Sequence, residues 1–154
     1  MLGRTYDDEV CSIARTLEIV GERWSLLIIR NALFAGVTRF GDFQKRLGVA
    51  TNILTKRLDG FVDAGVMTRQ PNPSGVEYVL TDKGHDLKGV LIAFTEWGDR
   101  WEAPNGRPII YRHDDCEGEV HNSIRCDSCG QQPDIVTVSK GPGMPDEKWA
   151  HRQK

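Results

Sequence analysis

Two groups of side chains in this chain could do chemistry. The first is late. Two residues lie between His113 and Cys116, two lie between Cys126 and Cys129, and nine separate the pairs. Imidazole and thiolate donors in close pairs are what tetrahedral zinc takes, and a closed set of four makes a structural site with no open position for catalysis. Gly118 and Gly130 follow the pairs and supply turning backbone. His121 is a rival for the fourth place. The second group is Thr51, Asn52, Thr55, Lys56 and Arg57. An Asn amide can bond adenine through two atoms and a Thr methyl can touch thymine. Lys56 and Arg57 suit phosphates, with Arg57 also able to reach a guanine, and Arg39 and Arg69 are placed to hold the backbone.

Cys11 stands apart. It opens the first expected helix, where the helix dipole lowers a thiol pKa and makes a reactive thiol one reading. The alternative is a half-buried small residue near a dimer interface.

The elements that must position these residues follow from periodicity. Val10, Ile13, Ala14, Leu17 and Val20 share one helix face, ended by Gly21. Residues 24–34 are apolar enough to predict a helix buried nearly all round. A short helix over 40–47 stops at Gly48. The next helix starts with Thr51 as N-cap, buries Ile53, Leu54, Leu58, Phe61 and Val62, and closes at Gly65. Residues 66–69 and 76–80 read as two strands around an Asn72-Pro73-Ser74-Gly75 turn. Thr81 or Asp82 caps a last helix with a wide stripe of Leu87, Val90, Leu91, Phe94, Trp97 and Trp101, suited to the core, to a dimer seam, or to each at different positions.

The expected organisation is a flexible arm over 1–9, a domain over 10–103, a linker at 104–108, a cysteine-bearing segment over 109–138 and a flexible tail over 139–154. No internal repeat is evident. The fold class is mainly α with a small β-hairpin wing: a winged helix-turn-helix with a zinc-ribbon-like appendage.

The chain has 154 residues and a net charge of −2, so a wholly basic coat is excluded. Residues 38–70 nevertheless hold six basic side chains against three acidic ones, the asymmetry a phosphate-facing surface needs. No apolar run is long enough for a membrane span, and the N-terminus has no signal-peptide core, so a cytoplasmic protein is expected. Reduced thiols in that compartment favour metal binding over disulfides.

The order of these residues resembles the HxlR-type branch of the MarR-like winged-helix regulators. The features are Cys11, Glu22-Arg23-Trp24, Phe40-Gly41-Asp42-Phe43, Leu54 and Leu58, Gly65-Val66, the run from Val76 to Thr81, Lys83-Gly84 and Trp97-Gly98-Asp99-Arg100-Trp101. They span about two thirds of the chain. Glu22-Arg23 stands where Gly-Lys is usual, and the wing is short and lacks the usual basic residue before Val76, which leaves Arg69 as its DNA anchor. The resemblance implies a homodimeric repressor that binds double-stranded DNA at a pseudopalindromic operator and responds to a small molecule or to redox state, with Cys11 as the redox sensor because a Cys at this place senses oxidants or electrophiles in some members. The late cysteines are not part of it, so zinc is an expectation from their spacing alone. No organic cofactor, phosphate-binding loop, dinucleotide motif or nucleophile elbow is present. A winged-helix/zinc-ribbon interaction module that does not bind DNA is one alternative. A zinc enzyme is the other, and it lacks the Glu placement a deaminase needs.

Overall fold

The computed structural model describes residue 6 and residues 9–152. Most of the arm expected to be flexible lies outside these. The chain separates into two compact units, residues 19–122 and the remainder, with the boundary running through the first helix.

The larger unit is built on α2 (Ser25–Ala35), which follows α1 (Ser12–Val20). Ile28 and Ile29 of α2 are wholly buried. The helix is less enclosed than its composition predicts: Arg30 and Phe34 are exposed, and Leu26, Leu27 and Leu33 are half-buried. Phe34 instead meets the Tyr111 ring at 4.5 Å between centroids, and the Tyr111 hydroxyl lies 3.2 Å from Thr95 Oγ1. The segment after the last helix of this unit is thereby held against it.

Helices α3 (Phe40–Leu47) and α4 (Thr51–Asp63) form the helix-turn-helix. Gly48 between them has φ 63°, a left-handed turn that glycine adopts without a steric penalty. Phe43, Leu54, Leu58 and Phe61 are at most 1% exposed and pack with Ile28, Ile29, Val37 and Leu91 into one core. Each such side chain contributes roughly 1.5–3 kcal/mol relative to exposure. The expected N-cap at Thr51 is displaced by one position: Ala50 is the extended capping residue and Thr51 is the first helical one. The Thr51 hydroxyl is engaged elsewhere, accepting a bond from Gln44 Nε2 at 2.7 Å that ties α3 to α4. The other end matches expectation. Gly65 is left-handed at φ 69°, its N–H bonds the Val62 carbonyl, and the Val66 N–H bonds the Phe61 carbonyl. This double closure is a Schellman motif.

The wing is an antiparallel pair, β1 (Met67–Asn72) and β2 (Gly75–Leu80), in register from Met67↔Leu80 to Asn72↔Gly75. The first strand runs past the expected residue 69 because Pro71 sits on a two-stranded ribbon, where a missing N–H can face outward. The turn narrows to Pro73-Ser74, with Asn72 Oδ1 accepting from the Ser74 N–H at 3.0 Å. The Thr38 carbonyl accepts from the Tyr78 N–H at 2.7 Å and so docks the wing on the chain before α3.

The last expected helix is two: α5 (Asp82–His85), capped by Thr81, and α6 (Leu87–Trp101). Thr81 Oγ1 lies 2.6 Å from the Gly65 carbonyl and 3.1 Å from that of Val66, and Lys83 Nζ donates to the Ala64 carbonyl at 2.7 Å. The end of α4, the base of the wing and the entry to α6 thus share one knot. In α6, Leu91 and Ile92 are buried while Phe94, Trp97 and Trp101 are over 60% exposed, so core and open surface divide the stripe between them.

In the smaller unit, the tail beyond 139, expected to be flexible, contains α7 (Asp146–Arg152), and Lys140 pairs with Asp146 just before it. No helix among the described residues is long and apolar enough to cross a membrane.

Gly84 is buried in the knot, and a Cβ there would press on the Val66 carbonyl and lie 2.7 Å from Leu80 Cδ2. Gly84→Ala should cost about 1–3 kcal/mol as an overpacked site. Gly89→Ala, with open space around it, should gain up to about 1 kcal/mol in α6. Thermal unfolding of the two variants, followed by circular dichroism, measures the contrast.

Candidate nucleic-acid interface

Burial of Leu54, Leu58 and Phe61 fixes the rotation of α4 and turns Thr51, Asn52, Thr55 and Lys56 outward. Four exposed polar residues in the first two turns of the second helix form the surface that a helix-turn-helix lays in the major groove. They are not equivalent. The Thr51 hydroxyl is bonded to Gln44, and the Thr55 hydroxyl donates back to the Thr51 carbonyl at 2.9 Å. Thr51 keeps its O–H as a donor, Thr55 keeps its oxygen as an acceptor, and both present a methyl group to a base. Asn52 and Lys56 make no hydrogen bond or ion pair with other described residues and are free for a ligand.

The three arginines expected at the backbone are each held by an acid. Arg57 is not on the exposed face. Its side chain is 16% exposed and lies 4.0 Å from Glu22, in the turn before α2. Arg39 Nε lies 3.4 Å from Glu77 Oε1 across an isolated β-bridge between these residues. Arg69 pairs with Asp59 of α4, and its guanidinium carbon is 5.9 Å from the centre of the Tyr78 ring. Hydrogen bonds to Tyr78 and to Asp59 push the Arg69 guanidinium above its ordinary pKa. Asp59 is therefore engaged with the wing, not simply solvated, and the wing tip of Pro73, Ser74 and Gly75 carries no charge.

Residues that the sequence left out of the site complete it. Gln44 fixes the angle between α3 and α4 through Thr51, and Lys45 and Arg46 stand exposed in the last turn of α3. Their basic character was visible in the charge count, but the partner of Gln44 was not. Glu77, in β2, has no sequence signal that marks it as the partner of Arg39.

The other expected site residues lie apart from this surface. Cys11 is half-buried, immediately before α1, and its carbonyl accepts the Arg15 N–H at 3.0 Å. His113 Nδ1 is 3.2 Å from Cys116 Sγ in the larger unit, while Cys126 and Cys129 belong to the smaller one. Backbone N–H groups of Cys129 and Ser128 bond Cys126 and hold its thiol below the ordinary range. Gly118 is not the left-handed residue of its turn; Glu117 is, at φ 58°. Among the described residues no three His, Cys, Asp or Glu side chains are gathered into a metal-binding group.

Comparison with known proteins gives this surface a family. Residues 19–105 match the profile described as HxlR-like helix-turn-helix. An uncharacterised HTH-type transcriptional regulator of Mycobacterium tuberculosis is 40% identical over 139 residues, covering 86% of this chain and 87% of the mycobacterial one. The solved structure of PA1607, a candidate transcription factor, superposes with a TM-score of 0.80 at 38% identity, covering 88% of this chain and 99% of that one. The reduced form of the transcriptional regulator YodB from Bacillus subtilis reaches a TM-score of 0.52 at 28% identity over 62% of this chain and 98% of its own. The redox regulator HypR, in its oxidised form, reaches 0.51 at 26% identity over 58% and 96%. Exposed polar residues on the second helix, the wing behind it and a profile match over more than half the length agree: the chain belongs to the HxlR-like helix-turn-helix family of DNA-binding transcriptional regulators.

Proposed function

We propose that this protein is a cytoplasmic homodimeric repressor that reads a pseudopalindromic operator through α4 and leaves it when an oxidant or small molecule acts. The observation that carries the reading is the exposed pair Asn52 and Lys56, without partners among the described residues, on a helix whose opposite side is wholly buried. Asn52 supplies base discrimination and Lys56 a phosphate contact. Arg39 and Arg69 add backbone contacts from the edges of the wing, and Thr51 and Thr55 add methyl contacts. Arg57, turned toward Glu22, braces α4 from behind.

The dimer is supported by α6. Phe94, Trp97 and Trp101 repeat at three- and four-residue spacing and are 64%, 61% and 65% exposed. Three large aromatic side chains open to water on one helix face suit burial against a second copy. Twofold pairing would set the two recognition helices about 34 Å apart, one turn of DNA. The effector reading rests on Cys11, at the opening of α1, and on the redox-responsive character of structural neighbours. The regulators among the relatives weigh against a zinc enzyme.

A gel shift with a salt series on the DNA upstream of the encoding gene tests the core of this proposal. Asn52→Ala should lose about 1–3 kcal/mol of discrimination between operator and unrelated DNA. Lys56→Ala should weaken both and lower the salt slope by about one. Unchanged binding in both variants would move the reading to an interaction module that does not use DNA. Trp97→Glu should convert the dimer to a monomer in light scattering and abolish operator binding while leaving the circular dichroism intact. Diamide should release DNA from the wild type and not from Cys11→Ser; release from both removes Cys11 as the sensor.

A further inference from the structure

A cavity of about 370 Å3 opens in the larger unit between α2, α6 and the chain that follows α6. It falls within the ~300–1,000 Å3 of small-molecule pockets. Its α6 side is one helix face: Leu91, Phe94, Thr95, Gly98 and Glu102 recur at three- and four-residue spacing. Trp97 is one residue from Gly98, so it stands about 100° round the helix on a neighbouring face. Leu26, Leu27 and Arg30 come from α2. Pro108, Ile109 and Tyr111 form the third wall, in a strap that folds back along α6. The strap is tied down at several points. The Tyr111 ring meets Phe34 at 4.5 Å between centroids, and the Tyr111 carbonyl accepts the Val120 N–H at 2.9 Å. Arg107 bonds both Glu119 oxygens, at 2.9 and 3.4 Å. Glu96 Oε1 accepts the Asn122 N–H at 3.0 Å and lies 3.1 Å from His121 Nδ1.

Gly98 keeps the floor of this cavity open. Glycine inside a helix is destabilising relative to alanine. A Cβ at Gly98 would meet nothing within 4 Å, so packing does not demand the glycine, and the space it leaves belongs to the cavity.

The polar groups of the lining have a direction. Thr95 Oγ1 donates to the Leu91 carbonyl at 3.0 Å, so toward the Tyr111 hydroxyl, 3.2 Å away, it accepts. With its proton given to Thr95, the Tyr111 oxygen offers a ligand lone pairs alone. Asp99 and Glu102 add two carboxylates against the single cation of Arg30. The last turn of α6 also ends here, and its carbonyls carry the negative end of the helix dipole. Arg100, the basic residue of that turn, falls on the opposite side of the helix, two positions from Gly98. Acceptors and negative charge therefore outweigh donors and positive charge, and the rings of Phe94 and Tyr111 attract cations through their faces.

We propose that this cavity binds a small amphiphilic ammonium ion, a protonated amine on an apolar body. The body lies against Leu27, Leu91 and Phe94, while the ammonium donates to Tyr111 and to the carboxylates of Asp99 and Glu102. That such an amine is the effector rests on the repressor reading; its binding does not, and titrations without DNA keep the two failures apart.

The test is calorimetric titration of the full-length protein with naphthylethylamine, naphthylethanol and naphthylpropanoic acid, which share an aromatic body and differ in charge. The amine should bind once per chain and about tenfold more tightly than the alcohol, with the acid weakest. Gly98→Leu should fill the cavity and abolish binding with the circular dichroism unchanged, and Gly89→Ala, on the same helix but outside the lining, should bind as the wild type does. The double variant Asp99→Asn with Glu102→Gln should lose about tenfold in affinity for the amine and nothing for the alcohol, a split that a merely structural role would not produce. No binding of the amine overturns the proposal, as does amine affinity unchanged in Gly98→Leu or in the double variant. Acid bound more tightly than amine gives the site to Arg30 and overturns the ligand class.

Discussion

The structure depends on one constraint: α4 must bury Leu54, Leu58 and Phe61 at the same time. These positions lie three and four residues apart, so a helix that satisfies them has a single rotation about its axis. That rotation decides which side chains face outward. It exposes Asn52 and Lys56 and draws Arg57 back against Glu22. Specificity for a base sequence thus begins as a packing problem in an apolar core. The core that solves it, from Ile28 and Ile29 through Phe43 to Leu91, is shared by α2, α3 and α6, so the reading surface is braced by nearly every helix of its unit.

Electrostatics adds a second layer. Arg39, Arg57 and Arg69 each stand near one carboxylate, on β2, in the turn before α2 and on α4 respectively. The two exposed pairs, at Arg39 and Arg69, contribute little to stability. Their effect is on position and on net field. The local basic excess that the sequence shows is partly neutralised residue by residue, and Lys45, Arg46 and Lys56 carry what remains. A surface of modest charge favours readout by contacts over indiscriminate attraction to phosphate.

Much of this was legible in the sequence for identifiable reasons. The helices α3 and α4, their glycine boundaries and the wing follow from periodicity and turn chemistry, which act over a few residues. The failures are long-range. Thr51 looked like a cap because nothing local reveals Gln44 seven positions earlier as its partner. Arg57 looked like a DNA contact because Glu22 is remote in sequence, and α2 looked enclosed because its apolar composition does not reveal that Phe34 keeps a face toward solvent. The helix break at Asp86 escaped because the apolar stripe continues across it. In the late segment the Cys and His spacing was plain, while the backbone bonds that close the turns, from the Glu117 N–H to the His113 carbonyl and from the Gly130 N–H to the Cys126 carbonyl, were not.

The knot at Thr81 has a mechanical consequence. Thr81 Oγ1, Lys83 Nζ and the tight approach of Gly84 to Val66 leave no slack between the end of α4, the foot of the wing and the start of α6. The three parts are tied to one another at a single place. The helix that carries the exposed aromatic side chains therefore enters its unit at the same place where α4 ends and the wing begins.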